Sequence, residues 1–278
     1  MKTLVVPTDF SPVSVNAMHY AVDMAQSIDA SILLVNVFQL PIVYTDVPMT
    51  SATLGYQEQK KSSEDKLDDL KKEIIVTTSG KIQVYTESRM GDAKEEIESL
   101  CKSVRPFAIV MGSHGKNSFE RLIMGSTTLN VIRNLTFPVI VVPSGTSYKM
   151  IRNIGLACDF KEVVETTPVD FIKDIIREFG AELYILNVNK PGEGESYKEN
   201  ITLQSAFLDT MLGEIKPHYH FLDNDDIVDG INSFSEKNNL DLVMVIPKKH
   251  RLLTGLFHKS NSRDLVSHSH IPILSIHD

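Results

Sequence analysis

The sequence predicts an α/β protein built from two tandem, doubly wound parallel sheets. Short apolar segments of strand length alternate with helical patterns along the whole chain, as parallel sheets require. The same segments recur in the same order in each half. An apolar run ends in Asp-Phe at 9–10 and again at 159–160, and the next run carries Asn-Val at 36–37 and at 187–188. We interpret this recurrence as an internal duplication.

The strand segments of the first half are apolar throughout rather than alternating. They read TLVV, ILLV, FAIVM and VIVV. Continuous apolar runs are typical of strands that are covered on both faces, so we expect helices on each side of the sheet. The segment 143–149, PSGTSYK, has the composition of a short linker between the two halves.

The helices have recognisable starts and ends. Ser11 is a suitable N-cap and Pro12 fits the first helical position, and apolar residues then follow at helical spacing. The other predicted helices are 56–74, which is highly charged, 91–104, which Asp92 caps, and a segment that opens at Thr167-Pro168 and ends at Gly180.

Composition excludes several classes of function. The net charge of −8 argues against a general nucleic-acid binder, which usually carries a basic face. No apolar run is long enough to cross a bilayer, and the N-terminus reaches Asp9 too soon for a signal peptide. Two cysteines, Cys101 and Cys158, do not make a disulfide framework. We expect a cytoplasmic protein that binds neither nucleic acid nor membranes.

Glycines follow the predicted fourth strand of the first half. Gly112 comes directly after FAIVM, and Asp9 comes directly after TLVVP. Ligands of doubly wound sheets bind beyond the carboxyl ends of such strands. Gly112 and Gly115 allow backbone N–H groups to approach a ligand, and Gly125-Ser126-Thr127 opens a helical pattern whose N-terminus suits an anion. The pattern predicts a phosphate cradle. Each residue taken alone also has a structural interpretation that needs no ligand. Gly112 could form a turn, Gly125 and Asp9 could cap helices, and His114 could be a loop residue.

These residues resemble the universal stress protein family. The resemblance is carried by VPTDFS (6–11), LLVNV (33–37), MGSHGKNSFERLIMGST (111–127) and FPVIVVP (137–143), and it extends over both halves. Nucleotide-binding members of that family carry Gly-x2-Gly-x9-Gly-Ser/Thr, which here reads Gly112, Gly115, Gly125, Ser126. The family implies a Rossmann-like five-stranded parallel sheet of order 3-2-1-4-5. It also implies a bound adenine nucleotide, ATP or AMP or ADP, with or without Mg²⁺.

The resemblance assigns roles to individual residues. Those implied to border the adenine and ribose are Pro7, Thr8 and Asp9, with the backbone of Val37 at the adenine edge. Those implied to surround the ribose and phosphates are Met111, Gly112, His114, Gly115, Gly125, Ser126 and Thr127. From the sequence itself we assign no catalytic residue and no metal ligand.

The second half departs from this motif. Aligning MVIP with IVMG puts Pro247 at the position of Gly112 and His250 at that of Gly115, and Lys259 falls at Gly125. Side chains would then fill the phosphate space. We expect residues 1–146 to form a nucleotide-binding domain and residues 147–278 to form a second domain with a degenerate motif.

Each half ends in a proline-led apolar segment, PVIVVP from Pro138 and PILSI from Pro272. In the strand order of the family this last strand is an edge, and exposed apolar edges are usually covered. We therefore predict that the two segments pair antiparallel, which would make the chain an intramolecular pseudo-dimer. A homodimer of the whole chain is a further expectation.

Enzymatic activity stays an open question at this level. The sequence has no Walker A motif, no Cys-x-x-Cys pair and no Gly-x-Ser-x-Gly elbow. One hypothesis is a nucleotide-binding stress or signalling protein with at most weak hydrolysis. The others are an ATP-using enzyme, either a slow ATPase or an adenylyl transferase, and an interaction module without nucleotide.

Overall fold

The computed structural model confirms the α/β fold class, with strands and helices alternating along the chain. The described residues are 1–39, 49–113, 128, 131, 135–189, 195–247 and 261–277, without the side chains of 49–53, 195–198 and 261–263. They divide into two compact units. The first unit holds 1–39, 49–113, 128, 131, 135–137 and 144–148, and the second holds 138–143, 149–189, 195–247 and 261–277.

In its described residues, the first unit is a parallel sheet with helices between the strands. Its elements are β1 (Lys2–Pro7), α1 (Pro12–Ile28), β2 (Ala30–Phe38), α2 (Met49–Thr77), β3 (Val84–Met90), α3 (Ala93–Val104) and β4 (Ala108–Gly112). The strands are ordered β3-β2-β1-β4, and each neighbouring pair is parallel. Leu4 and Val5 of β1 are fully buried, as expected for a strand that is covered on both faces.

Helix α1 begins where its sequence predicts. The Ser11 hydroxyl accepts the first-turn N–H of Ser14 at 3.3 Å, and Pro12 follows at the first position. The helix ends at Asp29, whose φ of 51° is left-handed. One face of α1, including Met18 and Met24, is fully buried. Helix α3 is likewise capped by a side chain, since the Asp92 carboxylate accepts two first-turn N–H groups.

The second unit repeats this arrangement. Its described elements are β5 (Val139–Val142), β6 (Asn153–Ala157), α4 (Val163–Thr166), α5 (Val169–Phe179), β7 (Glu182–Asn189), α6 (Glu195–Leu212), β8 (His218–Asp223), α7 (Ile227–Lys237), β9 (Leu242–Val245), α8 (Asn261–His268) and β10 (Ile273–Ser275). Strands β8, β7, β6, β9 and β10 are consecutive and parallel in the sheet. Gly180 ends α5 with a left-handed φ of 58°, as the sequence predicts.

Strand β5 comes from the first sequence repeat but belongs to the second unit. It pairs antiparallel with β10, with Val141 opposite Ile273 and Val139 opposite Ser275. Val139, Val141 and Ile273 are each at most 1% exposed. The two proline-led segments therefore form the antiparallel strand pair that their sequences predict, and this pair covers the edge of β10.

The linker segment 144–148 folds back onto the first unit. The Tyr148 hydroxyl shares a hydrogen bond of 2.6 Å with that of Ser27, and its ring packs edge-on against Tyr20 at 5.2 Å. The side chain of Asn16 donates to the carbonyl of Thr146. All three anchoring residues lie on α1, so this end of the linker is attached to one helix.

Candidate functional site

A tight turn follows β1 and presents Asp9 at the carboxyl end of the sheet. Thr8 is buried, and its N–H donates to the carbonyl of Val35 in β2 at 2.8 Å. The N–H of Phe10 donates to the Thr8 hydroxyl at 3.0 Å, and the N–H of Ser11 donates to the Asp9 carboxylate at 3.0 Å. These bonds hold Phe10 in a left-handed conformation with φ of 65°.

Asp9 is exposed, and the hydroxyl groups around it favour its charged form. Partial burial raises the pKa of the Asp9 carboxyl, but hydrogen bonds from the Ser11 and Ser14 side chains and from the Ser11 backbone outweigh this effect. The pKa therefore lies below its ordinary value. The site presents a carboxylate that accepts hydrogen bonds, as a sugar hydroxyl or a base amino group would supply.

The neighbouring strands bring the other described candidates to the same end of the sheet. Pro7 ends β1 and pairs with Val35, and Val37 lies two residues further along β2. Met111, which is 5% exposed, and Gly112 end β4 on the other side of β1. The carboxyl ends of β2, β1 and β4 are thus adjacent, as a ligand crevice of a doubly wound sheet requires.

Gly112 is required for packing against α1. A Cβ built at Gly112 would lie 2.5 Å from Cγ1 of Val13 and 2.6 Å from its carbonyl oxygen. Both distances are too short for a van der Waals contact of a Cβ atom, so a side chain here would force a shift. The absent side chain therefore lets the first turn of α1 approach the end of β4. We expected this glycine to leave room for a ligand. Its Cβ direction points instead at Val13 of α1.

The second part of the glycine motif lies outside the described residues. His114, Gly115, Gly125, Ser126 and Thr127 belong to it, and they stay predictions. Thr128, the next residue along the chain, is buried, and its hydroxyl donates to the carbonyl of Gly112 at 3.4 Å. This contact joins the end of the motif to its beginning. The sequence analysis did not assign Thr128, Ser14 or Asn36 to the site, although Asn36 belongs to the repeated Asn-Val pair.

The second unit repeats the strand-end turn almost bond for bond. The N–H of Cys158 donates to the carbonyl of Leu186 at 2.9 Å, and the N–H of Lys161 donates to the Asp159 carboxylate at 3.0 Å. Phe160 is again left-handed, with φ of 52°. The Asn187 amide donates to the carbonyl of Cys158 at 2.8 Å. The turn is therefore a property of the repeat, because it forms in both units.

The register of the strands corrects one alignment between the repeats. Leu4 is opposite Ala108, and the equivalent Ile154 is opposite Leu242. Counting along each strand puts Ile246 at the position of Gly112, whereas the sequence alignment put Pro247 there. Two similar apolar runs can be matched with a slip of one residue, and only the backbone hydrogen bonds decide between the registers.

The second repeat, which has Ile246 at the position of Gly112, also has an interrupted first helix. The first repeat continues from its turn into one helix, α1, whereas the second has the short α4, an extended Thr167 and then α5. Val163, the counterpart of Val13 in the turn, is buried at 1% exposure. The residues predicted to replace the rest of the motif, among them His250 and Lys259, lie outside the described residues.

Among the described residues, no group of three or more His, Cys, Asp or Glu side chains could hold a metal ion. In the same part of the chain, no helix combines the length and the apolar character needed to cross a membrane.

Comparison with known proteins assigns the family. The model of the universal stress protein family matches residues 1–143 and again residues 150–277. A universal stress protein of Methanocaldococcus jannaschii is 30% identical over 141 residues, which cover 51% of this chain and 81% of that protein. A second one from the same organism is 28% identical over 154 residues, covering 51% of this chain and 94% of that protein.

A solved structure confirms the fold over the whole length. The universal stress protein of Archaeoglobus fulgidus superposes with a TM-score of 0.76 at 18% identity, covering 99% of this chain and 98% of that one. Together with the two matches of the family model, this establishes that the chain belongs to the universal stress protein family, as a member with two tandem domains.

Proposed function

We propose that the chain is an adenine-nucleotide-binding protein with a cytoplasmic role in stress response or signalling. The nucleotide, ATP or AMP or ADP with or without Mg²⁺, is held by the domain of residues 1–146. The domain of residues 147–278 carries a degenerate motif and completes an intramolecular pseudo-dimer. Chemistry at the site amounts to at most weak hydrolysis of ATP.

One observation supports this proposal above the others. The Thr8–Asp9 turn, Val37 and the start of the Gly-x2-Gly-x9-Gly-Ser motif at Gly112 meet at three adjoining strand ends. Asp9 accepts hydrogen bonds there, and backbone N–H groups of a glycine-rich loop suit phosphate. Pro7, Met111, Ser126 and Thr127 complete the proposed set with His114, Gly115 and Gly125.

Calorimetry with ATP on the full chain tests the proposal, and the expected stoichiometry is near one. Asp9→Ala should weaken binding by about 1–3 kcal/mol, because it removes a charge-assisted hydrogen bond. Asp159→Ala is the matched control, since Asp159 accepts the same backbone N–H in the second unit. Equal effects of the two substitutions, or no ATP binding by the unsubstituted chain, would contradict the proposal.

Gly115→Val tests the glycine loop at a residue outside the described part of the chain. A branched side chain there should abolish nucleotide binding and leave the fold intact. Turnover of ATP at about 1 per second or faster would instead indicate an enzyme.

A further inference from the structure

A chain of hydrogen-bonded polar side chains, half-buried at Ser88 and buried at Ser63 and Asn36, leads from β3 to the turn that carries Asp9. It starts at Ser88 in β3, passes through Ser63 in α2 and Asn36 in β2, and ends at the carbonyl of Thr8. The Ser88 hydroxyl donates to the Ser63 hydroxyl at 2.7 Å, and the Ser63 hydroxyl donates to Oδ1 of Asn36 at 2.8 Å. The amide Nδ2 of Asn36 then donates to the Thr8 carbonyl at 2.7 Å.

The direction of this chain fixes the orientation of the Asn36 amide. Its nitrogen must face the Thr8 carbonyl, because a flipped amide would set two oxygens against each other. The Ser63 hydroxyl then holds the amide oxygen in place from the other side. Asn36 is 7% exposed and Ser63 is 4% exposed, so water has little access to either bond. Hydrogen bonds in such a dry environment constrain their partners strongly.

The second unit has the same turn with different surroundings. Asn187 makes the equivalent bond to the carbonyl of Cys158. Ser88 is opposite Asn36 in the sheet, whereas Phe221 is opposite Asn187. The ring of Phe221 lies 6.0 Å from that of the fully buried Phe160. A phenylalanine that is 47% exposed therefore stands in the place of this serine in the unit whose glycine motif is degenerate.

The difference between Ser88 and Phe221 shows which contacts the turn needs in order to fold. The second unit forms its turn next to aromatic rings, so a folded turn does not need the serine at β3. The serine hydroxyls of the first unit therefore have a role beyond folding the turn. Through the Asn36 amide they hold the Thr8 carbonyl, and with it the residue that follows, in one position.

We propose that Asn36, held by Ser63 and Ser88, is the positioning residue of the nucleotide site in the first domain. This inference rests on the proposed function, because it assigns to Asn36 the orientation of Asp9 for a nucleoside. A turn that is already ordered before binding loses less conformational freedom when the ligand arrives. Neither serine contacts the nucleotide, and both act through the Asn36 amide.

Ser63→Ala in the full chain tests the proposal, with Ser31→Ala as the control. Ser31 is a buried serine of the same unit, and it bonds to the hydroxyl of Thr3 and the carbonyl of Lys2. These residues lie at the amino ends of β1 and β2, away from the turn that carries Asp9. Each substitution removes one buried hydroxyl with two partners, so both should lower the thermal midpoint similarly. Only Ser63→Ala should weaken ATP binding, by about tenfold.

Hydrogen exchange of the unliganded protein provides a second readout. The N–H groups of Phe10 and Ser11 should exchange faster in Ser63→Ala than in Ser31→Ala, because the turn has lost its support. Ser88→Ala removes only the hydrogen bond from Ser88 to Ser63, and it replaces Ser63→Ala as the test variant if Ser63→Ala does not fold. It should weaken ATP binding by about threefold.

The outcomes separate this inference from the proposed function. ATP binding by the unsubstituted chain, with equal affinities in Ser63→Ala and Ser31→Ala, overturns the positioning role alone. Failure of the unsubstituted chain to bind ATP overturns both.

Discussion

At the scale of single residues, the two Asp-Phe turns show how side-chain contacts select an unusual backbone conformation. Phe10 and Phe160 both have left-handed φ values, 65° and 52°. Bulky residues rarely adopt this conformation, which costs of order 1 kcal/mol or more. In each turn the phenylalanine N–H donates to the side chain two residues earlier, Thr8 or Cys158, and this bond offsets the cost. The conformation turns the preceding Asp toward solvent.

Gly112→Ala should destabilise the chain. The new Cβ would meet the carbonyl oxygen of Val13 at 2.6 Å, so α1 or β4 must shift. We expect the free energy of unfolding to fall by about 1–3 kcal/mol, measured by urea titration. Gly55→Ala is the control, because its Cβ position in α2 has no atom within 4 Å apart from its chain neighbours and the backbone of its own helix. Equal stability of the two variants would show that the Val13 contact does not constrain Gly112.

The two cysteines should differ in reactivity. Burial raises the pKa of the Cys101 thiol to about 12, and nearby Arg89 lowers it only partly. Cys158 is half-buried at the end of β6. A thiol reagent at pH 8 should therefore modify Cys158 in the native protein and reach Cys101 only after unfolding, as mass spectrometry of peptides would show. Modification of Cys101 at the same rate would contradict its burial.

The same pKa has a consequence for stability. Because the folded-state pKa of Cys101 lies above its ordinary value of 9.0, its contribution to stability is fully present below pH 9. It is lost as the pH rises toward 12, since the unfolded chain then releases the proton more easily. Cys101→Ala should remove this part of the alkaline loss in urea titrations above pH 9.

At the scale of elements, the position of a proline decides whether the first helix of a repeat is continuous. In the first repeat Pro12 occupies the first helical position, where its missing N–H costs nothing. In the second repeat Pro168 comes later in the segment, after α4. Thr167 is extended, with φ of −104° and ψ of 114°, as the residue before a proline prefers. The helix therefore stops at Thr166 and restarts as α5.

Side-chain caps should account for a measurable part of helix stability. The Asp92 carboxylate accepts the N–H groups of Lys94 and Glu95 at 3.0 and 3.2 Å. Asp92→Ala leaves both without that partner, and it should lower the free energy of unfolding by about 1 kcal/mol. Asp92→Asn retains an accepting oxygen and should lose only part of this. An Asn variant as unstable as the Ala variant would indicate that charge, and not the hydrogen bond, stabilises α3.

At the scale of the whole molecule, the compact units do not coincide with the sequence repeats. The chain contributes residues 138–143 to the second unit and 144–148 to the first. The reason lies in two local preferences. Strand β5 gains backbone hydrogen bonds and apolar burial beside β10, whereas Tyr148 gains aromatic contacts with Tyr20 on α1. Each segment belongs to the unit in which it makes these contacts.

Removing the second repeat should therefore make the first self-associate. A fragment of residues 1–148 retains β5 and the Tyr148 contacts but lacks β10, so an apolar edge strand is left unpaired. We expect a dimeric or larger species in analytical ultracentrifugation, still able to bind nucleotide. Val141→Lys, which places a charge on the edge, should favour the monomer. A monomeric fragment without that substitution, at concentrations where the full chain is also monomeric, would count against this expectation.

The pairing of the two proline-led strands was predicted with the strand order that the family resemblance implies. The amino-acid sequence by itself determined the fold class, the duplication and the N-caps of α1 and α3. These features depend on local patterns, namely apolar periodicity, capping residues and proline placement, which a linear sequence displays directly. It also indicated Asp9 and Gly112, because strand ends can be recognised from where an apolar run stops.

Only the tertiary structure decided how those residues are used. Three features join segments that are far apart in the chain. They are the contact of Gly112 with Val13, the strand register that makes Ile246 the counterpart of Gly112, and the polar chain from Ser88 to Thr8. No local pattern encodes such contacts. They follow from how strands align and helices pack, and a slip of a single residue would bring different side chains together.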